Sequence, residues 1–307
     1  MTAHLLLTLV AVLCACRSDR HPRDASRAVV APSATVTPDA SVERRARYET
    51  TDLTAWTDAG PGVRWRSATV HIMGFSPVVE RASPPPAVLS WAVVRLDVAR
   101  VRVSVERTPD EAIGALWRRD RTVLALVDGG YFEPDHSASG LVFSGGAALA
   151  PVGLRGGSGV LRVTSDRVDV VPIDVRDGGT FAPSSDVMLA LQCGPRVIEA
   201  GGACGIHRHD GRYAARTVAC VRDEGRTLDL IAVWDRDEPR RGPELHDLAT
   251  LLAGPSPVGD SVGCEVALNL DGGPSTGVYA RASQGTGALE HEPVGPTPWG
   301  LVVRARR

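Results

Sequence analysis

The 307-residue chain contains no lysine; all 34 of its positive side chains are arginine. A lysine Schiff base, a P-loop lysine and a Ser–Lys dyad are therefore excluded. Any anion must be held by arginine or by backbone N–H groups, and arginine suits bidentate phosphate contacts. Positive charge is not in excess either. The formal net charge is −2, which lacks the basic signature of a nucleic-acid-binding protein. Long apolar runs are missing as well. The longest, Leu5 to Leu13, is interrupted by Thr8 and is too short to span a bilayer as a mature helix. Cys-x-x-Cys spacing, the usual mark of a structural zinc site, does not occur.

The short apolar run ends in Leu13-Cys-Ala-Cys16, small residues followed by cysteine. This looks like a bacterial lipoprotein signal, with cleavage before Cys16 and lipidation of its thiol; a plain secretory signal is the alternative. Residues 17–61 are rich in Arg, Asp, Ser, Ala, Thr and Pro without a periodic apolar face, and read as a disordered tether. Residues 62–307 fit one large domain. The expectation is an exported protein, anchored in the cell envelope by lipid at Cys16 and otherwise not in the membrane. In such a compartment Cys193, Cys204, Cys220 and Cys264 suggest disulfides. Cys193–Cys204 would bracket a short loop and Cys220–Cys264 would tie neighbouring strands; zinc is the alternative.

Within the domain, Gly62 to Val70 alternates like a strand and Ser83-Pro-Pro-Pro86 makes a turn. Trp91 to Val105 is again strand-like. Thr108-Pro-Asp-Glu111 reads as a capping box opening a helix to about Arg119. Residues 157–174 hold a hairpin around Ser165-Asp166. Ala215 to Cys220 and Arg226 to Trp234 form a second hairpin across Asp223-Glu-Gly225. Leu245, Leu248, Ala249 and Leu252 give a helix one buried face, and Gly254-Pro255 ends it. Trp299 to Arg304 is a last strand. Many strands and about two substantial helices predict an α+β fold, a single domain with a large mixed β-sheet.

Chemistry concentrates where apolar strands stop at glycine pairs. Val266 to Leu270 runs into Asp271-Gly-Gly-Pro-Ser275, and Val123 to Val127 runs into Asp128-Gly-Gly-Tyr-Phe132. A carboxylate at the end of a rigid strand, at the mouth of a loop, is well placed to act on a ligand. Glycines allow backbone to approach closely. Weaker candidates are the His207-Arg-His-Asp210 segment for a metal, Glu199, Glu265 and His136 as acids, and Trp234 as a sugar platform.

Taken in order, Asp128-Gly-Gly-Tyr-Phe132, Gln192-Cys-Gly-Pro-Arg-Val197, Ala215-Arg-Thr-Val-Ala-Cys220, the helix over Leu245 to Leu252 and Asn269-Leu-Asp-Gly-Gly-Pro-Ser275 resemble the phosphodiester glycosidases. The resemblance runs from about Gly62 to the end. Asp128 stands where that family usually has asparagine, Pro274 replaces a third glycine, and Cys220 replaces a glycine ending the arginine strand. The resemblance implies a hydrolase that cleaves the glycosidic bond of a sugar-1-phosphodiester, such as one of N-acetylglucosamine, and releases free sugar. Arg216 would bind the phosphate. Asp271 would be nucleophile or base, with Asp128 as its partner, because two nearby carboxylates split their pKa values and one becomes the acid. Asn269, Gly272, Gly273, Ser275, Thr217, Gly129, Gly130 and Gly194 would line the substrate site. No cofactor is required and no protein metal ligand is assigned, although a divalent cation (calcium or magnesium) is compatible. Two other readings are a non-catalytic module binding envelope glycan or assisting exopolysaccharide export, and a phosphodiesterase cutting on the other side of phosphorus.

Overall fold

Alternating apolar and polar residues build most of the chain into strands, and unbroken apolar runs become strands covered on both faces. The structure, a computed structural model, describes residues 47–74, 86–108, 110, 112–175, 181–255, 257, 259–260, 263–285 and 287–306. The signal segment, the tether up to residue 46 and the Ser83-Pro-Pro turn lie outside the described residues.

In chain order the elements are β1 (Arg47–Thr51), β2 (Thr57–Gly60), β3 (Val63–Gly74), β4 (Val88–Asp97), β5 (Val101–Arg107), α1 (Ile113–Arg119), β6 (Val123–Asp128), β7 (Val142–Ser144), β8 (Ala147–Ala150), β9 (Gly159–Val163) and β10 (Val168–Pro172). They continue with β11 (Leu189–Cys193), β12 (Arg196–Glu199), β13 (Ala203–Cys204), β14 (Arg216–Arg222), β15 (Thr227–Asp235), α2 (Leu245–Ala253), β16 (Val266–Asn269), β17 (Val278–Arg281), β18 (Ala288–His291) and β19 (Trp299–Ala305). A nine-stranded sheet runs β1-β3-β4-β15-β14-β16-β12-β13, with β2 beside β3. Two five-stranded sheets run β10-β9-β11-β7-β8 and β18-β17-β6-β19-β5.

The fold is therefore mainly β, with two α-helices among the described residues. The expected single mixed sheet is corrected to three sheets whose pairings are antiparallel throughout the described residues. Parallel neighbours need long crossovers, and a chain joined largely by short hairpins does not supply them.

The large sheet is apolar on both faces. Val94, Leu230, Ala219 and Leu268 point into the main core, where they meet Leu161, Leu189, Val103, Val127 and Leu301 of the two smaller sheets. Val93, Ile231, Val218 and Ala267 point the other way, onto Leu248, Leu251 and Leu252 of α2. Ile113, Leu116 and Trp117 of α1 cover the outer face of the third sheet at Val123, Leu126 and Val302. The order of layers is α2, large sheet, small sheets, α1.

Strands begin before Gly62, inside the segment expected as tether. Residues 47–60 carry β1 and β2, both paired with β3. Tyr48 and Trp56, the only aromatics in residues 17–61, explain this. Trp56 lies against the guanidinium groups of Arg66 at 4.2 Å and Arg95 at 4.8 Å, and Tyr48 Oη donates to Pro255 O at 2.8 Å. The first helix also begins later than the capping box proposed. Its N-cap is Ala112, while the Thr108 hydroxyl donates to Thr297 O at 2.5 Å; Pro109 and Glu111 are not among the described residues. No helix among the described residues is long and apolar enough to cross a membrane.

Of the two expected disulfides one is present, Cys220–Cys264, closing a separation of 44 residues. Cys193 and Cys204 are free. They cannot pair because the sheet divides them: Cys193 lies in the core between the sheets, Cys204 against the core under α2. A loop closed over 44 residues restricts the unfolded chain by about 4 kcal/mol at 25 °C in the chain-entropy treatment. The Cys220→Ala/Cys264→Ala variant should lose stability of that order in urea unfolding. Alkylation of the denatured, unreduced chain should label Cys193 and Cys204 and spare Cys220 and Cys264.

Candidate functional site

Three of the strands that carry the quoted motifs meet end to end. β6 terminates at Asp128, β14 begins at Arg216 and β16 terminates at Asn269, with Val218 opposite Asn269. β6 belongs to the third sheet and β14 and β16 to the large one, so the junction closes one end of the core.

Asp128 makes the junction. It is 1% exposed, and its carboxylate accepts from Thr217 Oγ1 at 2.5 Å, Gly272 N at 3.0 Å and Gly277 N at 3.1 Å. Burial pushes its pKa up to about 6, while the three donors pull it down. Three donors aimed at one group fit an ionised carboxylate at neutral pH. Asp128 thus braces the site from behind; the expectation that it faces substrate as Asp271's partner in acid–base work is corrected to this. Thr217, also expected to touch substrate, is fully buried and spends its hydroxyl on Asp128.

Next to this brace the chain turns through Gly272 at φ +78°. A Cβ there would sit 3.0 Å from Ala215 O and 3.4 Å from Arg216 Cα, so the glycine is required both for its dihedral and for close approach. Gly273 N donates to Ala215 O at 2.7 Å and Asp271 N to Gly129 O at 3.1 Å. The Asp271 loop is thereby pinned to the start of β14 and to the first glycine pair. Gly129 and Gly130 act through backbone and packing, Gly130 lying against Leu191.

Asp271 is partly exposed, and its carboxyl is pushed up to about 8, by burial first and by the Asp128 charge second. The Ser275 hydroxyl lies within reach of it and also donates to Pro296 O at 2.9 Å. One proton serves one acceptor, so burial decides the direction. Arg216 is half-buried, its backbone lying against Gly272 of the Asp271 loop. Its Nε donates to Pro243 O at 3.2 Å and its Nη2 to Arg212 O at 2.9 Å. Burial lowers its pKa, and arginine stays charged in proteins.

Tyr131 links the parts and was not singled out by sequence reasoning, although it stands in the quoted Asp-Gly-Gly-Tyr-Phe run. Its hydroxyl donates to Gly194 O and accepts from Asn269 Nδ2 at 3.1 Å. Burial raises its pKa, and it feels the charges of both Asp271 and Arg216. Asn269 is 1% exposed. Its amide also donates to Gly194 O at 3.1 Å and Leu270 O at 2.6 Å, so it shapes the floor of the site and does not reach sugar hydroxyls. Gly194 enters through the same carbonyl. Beneath it, the buried Gln192 amide accepts from Leu141 N and Gly153 N and donates to Gly153 O and Gly157 O at 2.8 to 3.0 Å.

Other candidates lie elsewhere or are occupied. Glu265 accepts from Glu224 N at the far end of β14, about 20 Å along the strand. Glu199 pairs with Arg196. Trp234 is stacked on His291 with ring centroids 3.8 Å apart. Of the His207 to Asp210 segment, His209 Nδ1 meets Glu244 Oε2 at 3.0 Å.

The raised carboxyl has a consequence for stability. An acid with a folded pKa above its unfolded value binds protons more tightly when folded, so its contribution falls as pH climbs from 3.8 to about 8. Asp271→Asn should match wild type below about pH 4 and melt at increasingly higher temperature than wild type up to about pH 8. Each pKa unit realised is about 1.4 kcal/mol, or about 3–5 °C for a domain of this size. Thermal melts across pH check this; a difference independent of pH would refute it.

The catalytic domain of zebrafish N-acetylglucosamine-1-phosphodiester alpha-N-acetylglucosaminidase, auto-inhibited by its pro-peptide, superposes with a TM-score of 0.55 at 17% identity, over 84% of this chain and 88% of that one. A hypothetical protein from Synechocystis superposes at 0.49 and 16% identity, over 80% of this chain and 62% of the other. The first likeness is one of fold. No curated protein matches the sequence. The family model described as phosphodiester glycosidase matches residues 121–303, a span that holds Asp128, Tyr131, Arg216, Asn269 and Asp271, and the chain belongs to the phosphodiester glycosidase family.

Proposed function

We propose that this protein hydrolyses the glycosidic bond of a sugar-1-phosphodiester and releases free sugar, with an N-acetylglucosamine-1-phosphodiester as the substrate class. The observation that carries the reading is a partly exposed carboxyl, Asp271, whose pKa burial pushes up to about 8, on a loop that packs through Gly272 against the start of β14 at Arg216. A perturbed acid next to a fixed cation is the combination an anionic glycosyl phosphate needs.

In the proposed reaction Arg216 and the surrounding backbone N–H groups hold the phosphodiester anion. Asp271 donates its proton to the bridging oxygen as the bond from the anomeric carbon to that oxygen breaks, and the bonding pair leaves with phosphate. Water adds to the anomeric carbon and returns a proton to Asp271. This assigns Asp271 as acid first, whereas the motif alone suggested nucleophile or base. Asp128 and Thr217 hold the loop and, through the Asp128 charge, keep Asp271 protonated. The apolar run ending at Cys16 supports export with a lipid anchor, which would place the enzyme against envelope glycans.

The full chain should release free N-acetylglucosamine from UDP-N-acetylglucosamine. Asp271→Asn should lower kcat by about 10²–10⁴-fold, the range for a lost general acid. Wild-type kcat/KM should fall tenfold per pH unit above about 8, the deprotonated carboxyl being inactive. Sugar-1-phosphate as product would mean a phosphodiesterase. Full turnover by Asp271→Asn would remove Asp271 from the mechanism. Binding of glycan without any product would mean a non-catalytic module.

A further inference from the structure

Behind Arg216 lies a second group of polar side chains that the proposed reaction does not use. Glu244, His246 and Asp247 stand at the start of α2, and His209 reaches them from the loop before β14. The two imidazole rings are 3.9 Å apart. His209, His246 and Asp247 each offer one donor atom, all within 4.8 Å of one another. His246 Nδ1 is buried without a hydrogen-bond partner; its nearest carboxylate oxygen, Asp247 Oδ1, is 3.7 Å away, beyond hydrogen-bond length. Asp247 is itself 5% exposed.

Two imidazoles and a carboxylate converging on one point satisfy each other poorly as hydrogen-bonding groups. As ligands they form a common set: borderline metals such as zinc take imidazole nitrogen and carboxylate oxygen, with three protein ligands and an open position. The set is unlike the all-oxygen cages of calcium or magnesium. The contact of His209 Nδ1 with Glu244 at 3.0 Å supplies the carboxylate behind the ring that orients a ligating histidine and leaves Nε2 for the ion. Glu244 is held in turn by the backbone N–H groups of Asp210 and Gly211.

We propose that His209, His246 and Asp247 form a binding site for a divalent metal ion of the zinc class. The position gives the ion a structural consequence. It would join the loop around His209 to the start of α2, and the two carbonyls that hold Arg216 belong to those segments: Arg212 O and Pro243 O. Metal would therefore fix the guanidinium's orientation. That consequence rests on the role proposed above for Arg216; the binding of metal does not.

The test uses zinc itself and the full chain, stripped with a chelator. Calorimetric titration should show one more zinc equivalent in wild type than in His209→Ala/His246→Ala, a comparison that discounts zinc taken up by free thiols. His246→Gln should weaken that equivalent by more than the about 10–100-fold that losing an outer partner costs. Trypsin gives a readout independent of turnover. Arg208 and Arg212 are exposed in the loop, and zinc should slow cleavage after both in wild type and leave it unchanged in Asp247→Asn. Equal stoichiometry in wild type and the double variant, or cleavage indifferent to zinc in wild type, would overturn the proposal. If circular dichroism shows the double variant unfolded, His246→Gln and Asp247→Asn carry the comparison. A chain that binds zinc in this way but turns over no phosphodiester would leave the metal site standing and refute only the function proposed above.

Discussion

One buried carboxylate holds the motifs in register. Asp128 sits at the end of a strand in one sheet and takes its hydrogen bonds from Thr217 on another sheet and from Gly272 and Gly277 on the loop between β16 and β17. Burying an ionised group costs free energy unless it is fully hydrogen-bonded, so the three donors are bound to Asp128 as firmly as it is to them. Asparagine in its place would offer one acceptor oxygen and an amide N–H₂, leaving one backbone donor facing another. Aspartate at this position is consistent with a brace behind the site, and the additional charge never meets a ligand directly. It acts on Asp271, whose ionisation it opposes.

The other two departures from the family pattern are also accounted for. Cys220 lies on β14 opposite Ala267 and bonds to Cys264 at the approach to β16, clamping the pair of strands whose other ends carry Arg216 and Asn269. Pro274 is the exposed second residue of the 3-10 turn Gly273–Ser275, where the N–H groups have no intrahelical partner to lose. Its carbonyl accepts from Val294 N and Gly295 N, fastening the Asp271 loop to the segment before β19.

Much of this was legible in the sequence. The hairpin across Asp223-Glu-Gly225, the hairpin around Ser165 and the apolar face of α2 are local patterns, set by alternation, turn residues and 3.6-residue spacing. What stayed illegible depends on where distant segments meet. The split of the strands into three antiparallel sheets follows from long-range pairing that periodicity does not encode. The division of Cys193 and Cys204 between two cores needs the large sheet in place. The strands of residues 47–60 were hidden by a polar composition because two aromatics, Tyr48 and Trp56, supply their anchoring. At the site, the motifs placed Asp271, Arg216 and Asn269 at strand ends, and the structure brings the ends of β14 and β16 together. They could not show that Asp128, Thr217 and Asn269 turn inward, or that Tyr131 joins Asn269 to Gly194, because motif position says nothing about which side chains spend their hydrogen bonds on the protein.

Charge then explains how the pieces work together. With no lysine in the chain, the cation at the start of β14 is Arg216, and its Nε and Nη2 are spent on carbonyls. The guanidinium is thereby oriented before an anion arrives, which lowers the ordering cost of binding. In the proposed reaction an approaching phosphodiester would meet that cation and a neutral Asp271; the negative charge of Asp128 lies behind the loop, occupied by three donors. Once Asp271 gives up its proton, two carboxylates are ionised in one poorly solvated corner, an arrangement that favours rapid recovery of a proton. The same burial that costs the fold stability at high pH thus resets the acid for the next turnover, so the stability penalty at Asp271 and its proposed chemistry have one physical origin.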